Sequence, residues 1–222
     1  MLLDMLALKS QVMLVDDHAM LRHGMAMLIN AESDMEVLAE AEDGGEAMSI
    51  LQMEDHPDIV LVDLSLKTLS GFDLIKSMHI LIPALPVLVV SMHDETVYAE
   101  RALRSGARGY VMKQEPGEVL ISAIREVLKG NFYLSEFMHT KLLNRFVTGN
   151  VESEQLINSL TPSEFEVLHL IGAGQSSREI AKLLNRSIKT IEVHRANIRG
   201  KLNLKNGADL IRYANSWMAA GQ

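Results

Sequence analysis

Residues 59–71 read IVLVDLSLKTLSG. A short, continuous apolar run ends on a lone carboxylate, Asp63, and a serine and a glycine close the segment at Ser70 and Gly71. An apolar run of this length fits a strand buried on both faces, as in a parallel sheet. Upstream, VMLVDDH (12–18) has the same form and ends on two carboxylates, Asp16 and Asp17. Further strand-type runs fall at 37–39, 87–90 and 109–112. Segments of helical period lie at 19–30, 46–52, 72–81, 95–104 and 118–128. Strand and helix alternating five times predict an α/β, doubly wound, five-stranded parallel sheet. Folds of this kind bind ligands outside the carboxyl ends of their strands, so the polar residues there are the place to look for chemistry.

Five residues at four strand ends form a set. Asp16 and Asp17 end the first strand, Asp63 the third and Ser91 the fourth, and Lys113 follows the fifth. Three clustered carboxylates repel unless a cation relieves them. Mg²⁺ suits such a place, because it takes carboxylate oxygens and leaves positions for water and phosphate. A hydroxyl and an ammonium beside it complete a site for a phosphoryl group. His18 beside the acid pair reads either as a metal ligand or as a polar start to the first helix, and the second reading is favoured. Met20, Met25 and Met27 read as core or interface filler along that helix.

At these residues the chain resembles the receiver domain of two-component response regulators. VDDH (15–18), LVDLSLKTLSG (61–71), VVSMH (89–93) and GYVMK (109–113) carry the likeness, which covers about residues 10–130. The resemblance implies that Asp63 is the phosphoacceptor. It implies Mg²⁺ held by Asp17 directly, by Asp16 through water, by Asp63 and by the Ser65 carbonyl. Ser91 and Lys113 would hold phosphoryl oxygens, and Tyr110 would be the aromatic switch residue, buried as phosphate draws the fourth and fifth strand ends inward. The surface near 95–104 would then be remodelled. Ser65 and His93 would flank the path of attacking water. Lys67 and Gln114 stand where many receivers have proline. A phosphohydrolase with a nucleophilic Asp would need a second carboxylate two residues on, where this chain has Ser65. The expected protein is therefore not an enzyme beyond its own phosphoryl uptake and loss.

After Gly130 the character changes. Residues 131–158 read as a linker with one short helix within 131–145 and linker sequence over 146–158, and 159–222 as a second domain built from helices alone. Four helix starts are written there: Thr161-Pro162 with Glu164, Ser176 with Glu179, Ser187 with Thr190, and Asn206 with Asp209. Gly174 marks a helix end. Ile188, Ile191, Ile198 and Leu202 have core spacing, which turns Lys189, Glu192, Val193 and Ala196 outward. Three consecutive capped helices with short turns have helix-turn-helix geometry.

This second segment is similar to the LuxR-type helix-turn-helix, and the whole chain resembles the NarL/LuxR class of response regulators. By that likeness Glu192, Val193 and Ala196 face bases, and Lys189, Thr190, Arg195, Arg199 and Lys201 face DNA phosphates. A fourth helix, 206–218, would serve dimerisation or packing through Trp217. The implied partners are a sensor histidine kinase, double-stranded promoter DNA and a second copy of the chain when phosphorylated. A regulator that is never phosphorylated is the rival reading, and the complete set of five residues argues against it.

Charge follows the same division. Residues 1–130 hold 10 Lys/Arg against 21 Asp/Glu, whereas residues 178–205 hold eight basic and two acidic residues. Polyanion binding therefore belongs to the second half. There is no cysteine, which excludes thiol catalysis, Cys-ligated zinc and a disulfide scaffold. The longest apolar stretch, 80–90, is broken by Pro83 and Pro86 and is short of the ~20 residues of a membrane span. The first ten residues lack a basic region and a cleavage site, so no signal peptide is expected. A soluble, cytoplasmic protein with no membrane partner follows.

Overall fold

The computed structural model describes residues 9–53, 56–66, 69–148, 156–157, 159–184 and 186–221. The chain forms two compact units, 1–141 and 142–222.

In the first unit β1 (Ser10–Val15), α1 (Ala19–Asn30), β2 (Met35–Ala41), α2 (Gly44–Ile50), β3 (Ile59–Val62), α3 (Gly71–Leu81), β4 (Val87–Ser91), α4 (Glu95–Ser105), β5 (Gly109–Met112) and α5 (Gly117–Leu128) alternate as the sequence predicts. The five strands are parallel, in the order β2-β1-β3-β4-β5. Val12, Leu14, Ile59, Leu61, Leu88 and Val90 pack with Met25 and Ile29 of α1 and Ile121 and Ile124 of α5. The alternate residues Met13, Val15, Val60, Val62, Val87 and Val89 are buried as deeply. Side chains alternate across a strand, so these line the opposite face. Both faces are covered, which explains why the strands read as unbroken apolar runs.

This order puts the ends of β1 and β3 side by side. The Asp63 amide donates to the Val15 carbonyl at 2.9 Å. The loop after Asp63 returns so closely that a Cβ on Gly71 would lie 2.4 Å from the Asp63 carbonyl oxygen. No side chain fits there, and the close approach fixes where β3 ends. Lys67 lies outside the described residues. The peptide bonds of the described residues, Gln114 included, are trans.

The segment expected to be a linker starts differently. Tyr133 extends the sheet as an isolated bridge to Gly109, its amide donating to Arg108 O at 3.0 Å and its carbonyl accepting from Tyr110 N at 2.9 Å. This covers part of an edge strand that would otherwise offer unpaired backbone groups. Leu134 and Met138 are buried, and Glu95 Oε1 accepts the Ser135 amide at 2.8 Å. The first unit thus runs to Lys141, not to 130. α6 (Glu136–Thr148) starts within the stretch expected to hold a short helix and runs on into the stretch read as linker from 146. Residues 149–155 and 158 of that expected linker lie outside the described residues.

The second unit contains α7 (Pro162–Gly172), α8 (Ser177–Leu183), α9 (Ile188–Lys201) and α10 (Gly207–Gly221). Thr161 and Ser176 form complete capping boxes with Glu164 and Glu179. Ser187 Oγ accepts the Thr190 amide at 3.0 Å, and Asn206 Oδ1 accepts the Asp209 amide at 2.9 Å. Gly174 takes a φ of +81°, the left-handed conformation that ends a helix without strain in a residue lacking Cβ. Phe165, Leu168, Ile171, Ile180, Ile191, Ile198, Leu202, Leu210 and Ala214 are buried and form its core. Ile188, expected in that core, is 47% exposed. It occupies the first position of α9, where the packed face runs out. Trp217 packs edge-on against Phe165, with ring centroids 5.4 Å apart.

Candidate functional site

At the carboxyl edge of the sheet, Asp16, Asp63 and Ser91 are buried. Lys113 reaches in from the end of β5, because its amide donates to Ser91 O at 2.8 Å and pins the two strand ends together. Its ammonium lies 2.7 Å from Asp63 Oδ2 and 2.7 Å from Asp16 Oδ2. Asp63 Oδ1 is buried and has no hydrogen-bond partner among the described residues. One ammonium among three carboxylates leaves a net negative pocket, and an orphaned buried carboxylate oxygen is costly unless a cation reaches it. Three hard oxygen donors suit Mg²⁺.

Around this centre the loop residues are tied to one another. Arg22 donates to the Asp16 carbonyl at 2.5 Å, and Asp16 Oδ1 accepts the His18 amide at 2.8 Å. Ser91 Oγ accepts the His93 amide at 3.2 Å. Ser65 Oγ lies 2.9 Å from His93 Nε2, and the His93 ring stacks on Tyr98 at 4.5 Å. Tyr110, the expected switch residue, is buried, with its hydroxyl donating to the His93 carbonyl at 2.9 Å. Burial pushes its phenol far above the ordinary range, so the hydroxyl stays a donor. β5 is flanked by both β4 and Tyr133.

His18 does more than start a helix. Its side chain makes no cap hydrogen bond, and its Nδ1 stands 2.7 Å from Asp17 Oδ1 and 3.3 Å from Asp16 Oδ1. A histidine directly after an acid pair was the available signal, but the sequence does not say which way the ring turns.

On α9, Lys189, Glu192, Val193 and Ala196 are exposed, and Thr190, Arg195, Arg199 and Lys201 partly so. Four have side-chain partners within the unit. Thr190 Oγ1 lies 2.8 Å from Ser187 Oγ, and Arg195 Nε lies 3.9 Å from Glu192 Oε1. Glu192 accepts from Ser177 Oγ at 2.5 Å. Lys201 lies 2.7 Å from Glu164 Oε2, and this engages an ammonium expected at a DNA phosphate. Burial works to raise the Glu164 carboxyl, but Lys201 and the Thr161 amide outweigh it and hold the group below its usual range.

A sheet edge bearing this acid pocket, followed by a capped helix-turn-helix, defines a response regulator. Residues 12–125 match the response regulator receiver domain, and residues 158–214 match the bacterial regulatory proteins of the luxR family. The chain belongs to the LuxR-family response regulators, which are phosphorylation-dependent DNA-binding transcription regulators and not metabolic enzymes. It is 37% identical over 209 residues to the oxygen regulatory protein NreC of Staphylococcus haemolyticus, spanning 92% of this chain and 96% of that protein. Among solved structures it resembles a LuxR-family two-component response regulator from Aurantimonas (TM-score 0.58, 33% identity, 63% of this chain and 99% of the other). It also resembles Salmonella RcsB bound to promoter DNA with a phosphomimetic (TM-score 0.58, 27% identity, 94% and 99%). Among the described residues no helix is long and apolar enough to cross a membrane.

Proposed function

We propose that Asp63 accepts a phosphoryl group from a sensor histidine kinase and that this controls promoter binding by α9 of a homodimer. The observation that carries the reading is the Lys113 ammonium bridging Asp63 and Asp16 beside the Ser91 hydroxyl. A carboxylate oxygen of Asp63 attacks phosphorus as the bond to the donor breaks, and the donor leaves with the electron pair. Lys113 then turns from Asp63 towards the new phosphoryl oxygens, and Ser91 Oγ donates to another. Asp16, Asp17, Asp63 and the Ser65 carbonyl would hold Mg²⁺, which offsets the charge that builds on the transferring group.

In the second unit Arg195, Arg199, Lys189 and Thr190 are proposed to meet phosphates and so to position α9 in the major groove. Lys201 joins them only on leaving Glu164. Val193 and Ala196 would meet bases, and Glu192, once free of Ser177, can accept from a cytosine amino group. A protein with these partners works in the cytoplasm.

Intact mass before and after a small acyl-phosphate donor with Mg²⁺ tests the first step. The parent should gain one phosphate, and Asp63→Asn or excess chelator should prevent it. The same gain at the same rate in Asp63→Asn would refute the assignment.

A further inference from the structure

Building on the reading of the acid pocket as a divalent-cation site, we infer that His18 Nδ1 is a direct ligand of that ion. The pocket then holds a first-row transition ion more tightly than its oxygen donors alone would, while still taking Mg²⁺. Adjacent ligands of an octahedral ion at about 2.0–2.1 Å stand about 2.9 Å apart. His18 Nδ1 brackets that spacing, at 2.7 Å from Asp17 Oδ1 and 3.3 Å from Asp16 Oδ1. One ligand atom each from Asp16, Asp17, His18 and Asp63 lies within 4.8 Å of all the others, a span that a single coordination shell covers.

Two further observations give the arrangement a purpose. The ring is not turned inward to cap α1, since it makes no such bond, and the backbone there is already fixed by the His18 amide on Asp16. Asp63 Oδ1 is buried and unpartnered, while Lys113 serves only the Oδ2 atoms of Asp63 and Asp16. A divalent ion seated against Oδ1 supplies the missing charge. The His18 side chain is two-thirds exposed. Mg²⁺ favours oxygen and gains little from an imidazole, whereas first-row transition ions accept nitrogen readily. One imidazole added to an all-oxygen pocket therefore raises its affinity for transition ions more than for Mg²⁺.

Mn²⁺ serves as the probe, measured by the loss of its free electron paramagnetic resonance signal on binding and by competition with Mg²⁺. The parent should bind Mn²⁺ more tightly than Mg²⁺, and bound Mn²⁺ should show hyperfine coupling to a directly ligated nitrogen. His18→Ala should lose that coupling and weaken Mn²⁺ by about tenfold or more, with Mg²⁺ affinity changed far less. His18→Gln, which keeps a polar side chain but no imidazole, should behave like His18→Ala. Absence of nitrogen coupling in the parent, or equal losses for both ions in the variants, would overturn the inference and leave His18 a hydrogen-bonding partner of Asp17. A parent that binds neither ion would overturn the reading of the pocket as a metal site as well.

Discussion

The Lys113 ammonium lies 2.7 Å from Asp63 Oδ2, and both side chains are all but sealed from solvent. It lies equally close to Asp16 Oδ2, so one cation holds two buried anions apart from water and from each other's full repulsion. Removing it leaves two uncompensated buried charges. Lys113→Met should therefore destabilise the receiver unit by about 3–5 kcal/mol in metal-free buffer. Asp63→Asn, which removes one anion and leaves the Lys113–Asp16 pair, should stay near the parent. Urea unfolding of the two variants distinguishes them, and equal losses would show that Lys113 does not carry the charge balance.

Ser65 and His93 form a 2.9 Å pair two residues beyond Asp63 and Ser91, with the His93 ring braced on Tyr98. This pair is expected to restrict the approach of water to the Asp63 carboxyl. Changing both to Ala should shorten the life of the acyl phosphate several-fold while leaving the capacity to gain one phosphate intact. Decay followed by intact mass checks this, and identical decay in parent and double variant would count against it.

The receiver grips the start of α6 through one carboxylate, Glu95, which accepts the Ser135 amide at 2.8 Å. Glu95 opens α4, two residues after the carbonyl that holds the Tyr110 hydroxyl. A hydrogen bond to a charged group contributes about 1.5–3 kcal/mol. Glu95→Ala should speed amide exchange at Ser135 to Met138 by the corresponding factor, with the strands of the sheet unaffected. Unchanged exchange at those amides would mean that the Tyr133 bridge and the buried Met138 hold the segment alone.

Glu164 joins the Thr161 capping box to Lys201, and its carboxyl is held below the ordinary 4.5. A carboxyl whose folded value lies below its unfolded one stabilises the fold fully above the unfolded value, and the contribution fades as pH falls through the folded one. Glu164→Ala should cost the DNA-binding unit about 1–2 kcal/mol near neutral pH. As pH falls below the ordinary 4.5 and through the lowered folded value, the gap between variant and parent should narrow, because the parent's own carboxyl is then being protonated. A gap independent of pH in thermal or urea unfolding would point to lost packing instead of lost charge.

Most of the receiver was legible because its strands are buried on both faces and end in polar residues. The apolar runs gave the strands, and the residues that close them gave Asp16, Asp17, Asp63, Ser91 and Lys113. The four caps of the helical unit were equally plain, since each is a local bargain between a side chain and an amide three residues on. What escaped depends on contacts between residues far apart in sequence. Nothing near Tyr133 signals that it will pair with β5, and nothing near Ser135 names Glu95, 40 residues away. The Lys201–Glu164 pair belongs to the same kind, since a basic residue on a recognition helix reads equally well as a DNA contact. Ile188 kept the core spacing but not the core, because periodicity gives a face and not the length over which that face is covered.

The central claim is that phosphoryl transfer to Asp63 governs DNA binding by α9. The most direct measurement is fluorescence anisotropy on a selected operator, with two half-sites about one helical turn apart, comparing phosphorylated and unphosphorylated parent with Asp63→Asn. Phosphorylation should tighten parent binding by about tenfold or more, within the usual range of allosteric coupling, and leave Asp63→Asn unmoved. Equal affinity of the parent in its two states, or equal tightening of Asp63→Asn by the donor, would contradict it.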